Sequence, residues 1–86
     1  QPWRTASDWR QRAAAAEGDG VAGPGKTPWF LGDRDGRVVA AGLQAWSGEV
    51  PEADSALVAA ARPLLAHRDA AVRSVAAEVV GRAQAG

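Results

Sequence analysis

The sequence predicts a small, mainly α-helical domain whose last third is an antiparallel helical hairpin. Two stretches near the C-terminus, 52–66 and 69–83, repeat apolar side chains at helical spacing. Alanine, the strongest helix former, supplies 21 of the 86 residues. Only a short turn separates the two stretches, so they are expected to pack antiparallel, apolar stripe against apolar stripe.

The length fits one domain with a thin core. Its large apolar residues number nineteen: nine Val, five Leu, four Trp and one Phe. Burying one of them is worth about 1.5–3 kcal/mol, whereas ordering each residue costs roughly 1.5 kcal/mol. Without cysteine, no disulfide can reinforce the core. We therefore expect a partner surface, in a homodimer or another homo-oligomer, to supply further burial.

Ten basic and ten acidic residues give a net charge of zero. Nucleic-acid binding depends on neutralising phosphates, so this balance argues against a nucleic-acid partner. No apolar run approaches the roughly 20 residues that cross a bilayer, which predicts a soluble protein without a membrane partner. One histidine and no cysteine argue against a metal site, and we expect no cofactor. The compartment is left open, with the cytoplasm favoured.

The first element predicted is a short helix over 7–17. Ser7 is a favourable N-cap, and Asp8 places a negative charge where the helix dipole favours it. Gly18 is expected to end the helix. The apolar face consists of Trp9, Ala13 and Ala16. Because Trp9 is the one large side chain on that face, the helix has to dock on another element.

The next segment, 18–28, is predicted to be a loop because it holds four glycines and two prolines. Residues 20–27 match the letters of the phosphate-binding pattern G-x-x-x-x-G-K-[ST]. That motif needs a buried strand before the loop and a helix beginning at its Lys-Thr pair. No strand pattern precedes residue 20, and Pro28 biases Thr27 away from helical geometry. We therefore expect a flexible loop without a nucleotide site.

Residues 29–48 admit two interpretations. In the first, a small β-hairpin spans 29–41, because Asp35-Gly36 between apolar segments is a strong turn signal. In the second, Asp35 caps a helix that carries Gly42 at a cost of about 1 kcal/mol. The apolar positions of that helix would be Val39, Leu43 and Trp46. The hairpin over 29–41 is favoured, and a helical turn can follow it.

The C-terminal hairpin begins after Pro51, which suits the first helical position. Pro63 cannot donate a hydrogen bond to residue 59, so a kink is expected there. Asp69 caps the second helix. The apolar stripe of the first helix consists of Leu57, Val58, Ala61, Leu64 and Leu65. The stripe of the second helix consists of Val72, Val75, Ala76, Val79 and Val80.

The end of the chain carries a wider pattern: Leu64-Leu65-x-x-x-Asp69-x-x-Val72-Arg73-x-x-Ala76-x-x-x-Val80-Gly81. Over residues 56–83 it resembles the second half of a HEAT repeat, with a leucine pair, an Asp before the inner helix and a Val-Arg dipeptide. The resemblance implies that Asp69 caps the inner helix and that Arg73 bonds across to a neighbouring turn. One such unit does not bury its own stripe, so another element or chain has to cover it.

Part of this pattern also occurs 34 residues earlier, where Leu31–Val38 aligns with Leu65–Val72. This spacing suits a helical repeat. The two copies differ, since Val39 stands where Arg73 would be. A loop over 18–28 would also leave the earlier copy without an outer helix.

Two residues are candidates for catalysis. His67 is the only histidine, and histidine is the residue type most used for acid–base catalysis near neutral pH. Asp69 stands beside it. The other interpretation, which is favoured, makes His67 a turn residue stabilised by the C-terminal end of a helix.

The candidate binding residues are Trp3, Trp29, Trp46 and Arg73. Tryptophan and arginine are frequent at binding hot spots, and four Trp in a short chain are unusual.

Two hypotheses of function follow. The preferred one is a non-catalytic interaction or accessory domain that binds a protein or peptide through a face of the helical hairpin and exposed Trp side chains. The alternative is a small dimeric acid–base enzyme, or an accessory catalyst in a biosynthetic pathway, with His67 in a site at a subunit interface.

Overall fold

A computed structural model of the chain describes residues 7–22, 28–50 and 55–85. The described part is mainly helical and contains no strand. Its α-helices are α1 (Trp9–Ala22), α2 (Gly36–Glu49), α3 (Ser55–Ala61) and α4 (Ala70–Ala85), and 3₁₀ turns at Trp29–Gly32 and Arg62–Ala66 precede α2 and α4.

Helix α1 is longer than the sequence predicts. The Asp8 carboxylate accepts a hydrogen bond from the backbone N–H of Arg10 at 2.9 Å, so Asp8 rather than Ser7 caps the helix. The helix continues through Gly18 to Ala22. The prediction of a loop over 18–28 is therefore wrong for its first five positions, and the rest of the phosphate-binding pattern, at 23–27, lies outside the described residues.

Close packing explains the glycines Gly20 in α1 and Gly42 in α2. A Cβ at Gly20 would lie 2.7 Å from the carbonyl oxygen of Gly42, so the two helices cross closely at this pair. The ring of Phe30 occupies the place that a Cβ at Gly42 would take. Both glycines are thus required by tertiary contact, which outweighs their low helix propensity.

The predicted β-hairpin over 29–41 is wrong, since this segment forms a 3₁₀ turn and the first part of α2. The Asp35 carboxylate accepts a hydrogen bond from the N–H of Arg37 at 2.9 Å and caps α2. Gly36 is needed because the Asp69 carboxylate fills the place of a side chain there. The Asp-Gly pair is therefore a helix start rather than a hairpin turn.

The C-terminal hairpin has the predicted form. The helical path changes from α to 3₁₀ at Arg62, next to Pro63, where the kink is expected. Helix α4 then begins one residue after Asp69. The expectation for Pro51 falls outside the described residues.

The main part of the core lies between α2 and the C-terminal hairpin. Its buried members are Leu43, Trp46, Leu57, Ala61, Ala76, Val79 and Val80. Among the described residues, the large apolar side chains that stay exposed are Val21 and Leu65. Helix α2 thus packs on most of the hairpin stripes within the same chain, whereas Leu65, a member of the predicted first stripe, is exposed.

Arg82 ties α4 to the end of α2. Its guanidinium donates hydrogen bonds to the carbonyl oxygens of Ser47 at 3.2 Å and Val50 at 3.1 Å. A cation at this place also complements the C-terminal end of the α2 dipole. Within the described ranges, no helix has both the length and the apolarity that a bilayer crossing requires.

Candidate functional site

The turn that leads into α2, residues 33–35, is held by two aspartates. Asp33 is extended, with φ −64° and ψ 143°, and its N–H bonds back to the carbonyl oxygen of Phe30 at 3.1 Å. The Asp33 carboxylate accepts the N–H of Asp35 at 2.9 Å. Asp35 in turn caps α2. The Asp33 and Asp35 carboxylates therefore each fix the backbone two residues later.

The turn that leads into α4, residues 67–69, repeats this arrangement. His67 has φ −63° and ψ 145°, and its N–H bonds back to the carbonyl oxygen of Leu64 at 3.0 Å. Its Nδ1 accepts the N–H of Asp69 at 3.0 Å, as the Asp33 carboxylate does in the first turn. The Asp69 carboxylate accepts the N–H of Ala71 at 2.8 Å. The 34-residue alignment thus corresponds to two turns with the same hydrogen bonds.

The two turns lie against each other. Arg68 Nη2 donates to the carbonyl oxygen of Arg34, its counterpart in the alignment, at 3.1 Å. The Asp69 side chain packs on Gly36 at the start of α2. The N-terminal ends of α2 and α4 are therefore neighbours on one end of the molecule.

A buried ion pair anchors the first turn to α1. Arg12 Nε lies 2.9 Å from Asp33 Oδ2, and Arg12 Nη2 donates to Asp33 Oδ1 at 3.3 Å. Only 4% of the Arg12 side chain and 7% of the Asp33 side chain are exposed. Arg12 Nη1 also donates to the carbonyl oxygen of Ser7 at 3.1 Å. This geometry is bidentate, which is the most specific arrangement of an Arg–carboxylate pair.

Arg37 is held between a carboxylate and an aromatic ring. It donates from Nε and Nη2 to Asp35 at 3.0 and 2.8 Å, and its guanidinium carbon lies 3.6 Å from the ring centre of Trp9. The hydrogen bond from Arg37 lowers the pKa of Asp35 to about 2, and the same bond raises the pKa of Arg37. Both groups therefore stay charged throughout the physiological range.

These groups surround an open depression of about 690 Å³. We call it the arginine depression and define it by Trp9, Arg12, Arg34, Arg37 and Arg68. Asp35 and Asp69 also line it. Its wall therefore carries four positive and two negative side chains, within a chain whose total charge is zero.

Two of the four arginines have no carboxylate partner among the described residues. Within the described part of the chain, Arg34 has no side-chain partner, and Arg68 uses one N–H for the bond to Arg34. Both side chains are exposed. Since a guanidinium offers five N–H donors, this part of the depression presents unused positive donors to solvent.

The two catalytic candidates serve the second turn. His67 is half-buried, and its Nδ1 faces the backbone N–H of Asp69. The Asp69 carboxylate bonds to Ala71 and packs on Gly36. Because Asp33 makes the same contact as His67 in the first turn, the geometry is that of a turn residue.

The tryptophan candidates have different environments. Trp46 is buried in the core. Trp29 is half-buried, donates from Nε1 to Asp19 at 2.7 Å and meets Phe30 edge-on at 5.9 Å between ring centres. Trp3 lies outside the described residues. Neither Trp29 nor Trp46 lines the arginine depression.

Arg73, in α4, bonds back to the turn 67–69 that precedes its helix. Its Nη1 donates to the carbonyl oxygens of His67 at 2.8 Å and Arg68 at 3.0 Å. The turn that Arg73 reaches is therefore the one before its own helix, and Arg68, five residues before Arg73, bridges the two turns.

Of the residues that line the arginine depression, only Asp69 was a sequence-based candidate, although one signal pointed to Arg34 and Arg68. The 34-residue alignment places Arg34 opposite Arg68. Trp9 and Arg12 join them only through the docking of α1, which no local pattern encodes.

Among the described residues, no cluster of His, Cys, Asp or Glu could hold a metal ion. Comparisons with known protein families, curated proteins and solved structures gave no match to this chain.

Proposed function

We propose that the chain is a non-catalytic helical-repeat module that binds a segment of a protein or peptide in the arginine depression. The observation that carries the proposal is the presence of unused guanidinium donors on Arg34 and Arg68, which line an open depression. Arginine is enriched at binding hot spots, and this depression is open to solvent, so an extended segment can reach it.

The rigidity of the two turns supports this proposal. The first turn is fixed by the Asp35 cap and by the buried pair of Arg12 and Asp33. The second turn is fixed by the His67 and Asp69 hydrogen bonds. A surface whose backbone is held in this way loses little conformational entropy when it binds, which favours affinity.

The repeat relationship is a further part of the proposal. Two turns of the same geometry, 34 residues apart, each lead into the second helix of a helix pair. We propose that the pairs α1/α2 and α3/α4 are two units of a HEAT-like repeat. In such arrays neighbouring units stack, and the stacked turns form an extended binding surface.

An unbiased peptide selection followed by NMR tests the proposal. A random peptide library is selected on the whole protein, and the best binder is titrated into ¹⁵N-labelled protein. We expect the largest shift changes at the amides of Arg34, Arg37 and Arg68 and at the indole N–H of Trp9. Selected peptides that shift other surfaces, or a library that yields no binder, would contradict the proposal.

A further inference from the structure

We infer that the ligand of the arginine depression is an acidic peptide segment, in which carboxylates spaced along the peptide pair with Arg34 and Arg68. The inference rests on the proposed function and names the chemistry of its partner. It follows from which charges of the depression are already paired and from where the remaining ones lie.

Two arginines of the depression are already paired with carboxylates. Arg12 is bound to Asp33, and Arg37 is bound to Asp35. Arg37 is further oriented by the ring of Trp9. Among the described residues, the lining arginines without a carboxylate partner are therefore Arg34 and Arg68.

The guanidinium groups of Arg34 and Arg68 suit carboxylates. Arg34 has no side-chain partner in the described part of the chain, and Arg68 keeps most of its donors after the bond to the Arg34 carbonyl. Each guanidinium can take one carboxylate with two parallel hydrogen bonds. The two residues belong to consecutive turns that lie against each other, so one extended segment can reach both.

The neighbouring aspartates favour separated carboxylates over a compact dianion. Asp35 and Asp69 line the same depression. A phosphate placed between the arginines would bring two negative charges close to both carboxylates. An acidic peptide avoids this repulsion because each of its single charges can approach an arginine from the solvent side.

Fluorescence anisotropy with labelled hexaglutamate tests the inference. Hexaglutamine of the same length is the matched neutral probe, and a hexaglutamine that carries one phosphoserine is the phosphate probe. We expect hexaglutamate to bind at least about tenfold more tightly than either at low salt, and its affinity to fall as salt screens the exposed charges.

Single variants locate the binding. Arg34→Gln and Arg68→Gln should each weaken hexaglutamate binding about fivefold, the upper end for an exposed ion pair. Arg62→Gln is the matched control, because Arg62 is an exposed arginine at the start of the 3₁₀ turn Arg62–Ala66 and does not line the depression. It should leave the affinity unchanged.

Three results would overturn the inference: no preference for hexaglutamate over hexaglutamine, tighter binding of the phosphoserine probe, or an equal loss in Arg62→Gln. Selected library peptides that are neutral or basic and still shift Arg34 and Arg68 would leave the proposed function standing while removing the acidic partner. Library peptides that bind elsewhere would remove both.

Discussion

At the scale of single residues, the two turns make the same backbone hydrogen bond with different acceptor groups. A carboxylate oxygen of Asp33 and an imidazole nitrogen of His67 each accept the N–H two residues later. The backbone angles of the two residues agree within two degrees. At this position His67 supplies an acceptor atom to the turn, as Asp33 does in the first turn.

Replacing His67 tests this structural role. His67→Ala removes the acceptor for the Asp69 N–H and should lower the free energy of unfolding by about 1 kcal/mol. His67→Asn keeps an acceptor at similar reach and should lower it by less. Urea denaturation followed by circular dichroism measures both, and equal losses would contradict the role assigned to His67.

Asp35 makes stability depend on acid pH. Its pKa in the folded chain is about 2, below its ordinary value of 3.8, chiefly because of the hydrogen bond from Arg37. A lowered folded pKa gives stability that is present above about pH 4 and is lost as the pH falls towards 2. Asp35→Asn keeps a good N-cap without the charge, so it should be less stable than wild type at pH 6, with the difference shrinking by pH 2. A constant difference across this range, measured by urea denaturation, would contradict the pKa assignment.

At the scale of elements, the sequence predicted helices wherever apolar spacing was strong and failed where tertiary contact overrides local preference. The C-terminal hairpin and the kink at Pro63 follow from pattern alone. The β-hairpin over 29–41 was favoured because Asp-Gly and Gly42 look unfavourable in a helix. Gly36 and Gly42 are required because the side chains of Asp69 and Phe30 occupy the adjacent space. These contacts are tertiary, so the sequence of the helix alone does not predict them.

Two glycines of α1 provide a direct comparison. Gly20 lies against the backbone of α2, whereas a Cβ at Gly18 would meet nothing within 4 Å. Gly20→Ala should lower the free energy of unfolding by about 1–3 kcal/mol through overpacking. Gly18→Ala should raise it by up to about 1 kcal/mol through helix propensity. Thermal or urea denaturation in which both substitutions stabilise the protein would contradict the close crossing of α1 and α2.

The buried pair of Arg12 and Asp33 joins α1 to the first turn. Arg12→Met leaves the Asp33 carboxylate buried without its partner and should cost about 3–5 kcal/mol. The double variant Arg12→Met with Asp33→Asn removes that charge and keeps an acceptor for the Asp35 N–H, so it should recover part of the loss. A double variant no more stable than Arg12→Met alone would show that the ion pair is not what the first turn depends on.

At the scale of the whole molecule, stacking of the two turns creates a surface that neither unit has alone. The arginine depression combines residues from α1, from the first turn and from the second turn. The 34-residue alignment pairs Arg34 with Arg68 in the sequence, but no sequence pattern predicts that Trp9 and Arg12 lie beside them. Trp46 and His67, which are candidates by residue type, lie instead in the core and in a turn.

The central claim is that Arg34 and Arg68 bind the partner segment. Its most direct test is the affinity of the selected peptide for wild type, for the double variant Arg34→Gln with Arg68→Gln, and for Arg62→Gln, measured by isothermal titration calorimetry. We predict a loss of at least about tenfold in the double variant and no change in Arg62→Gln. Equal affinity for wild type and the double variant would contradict the claim.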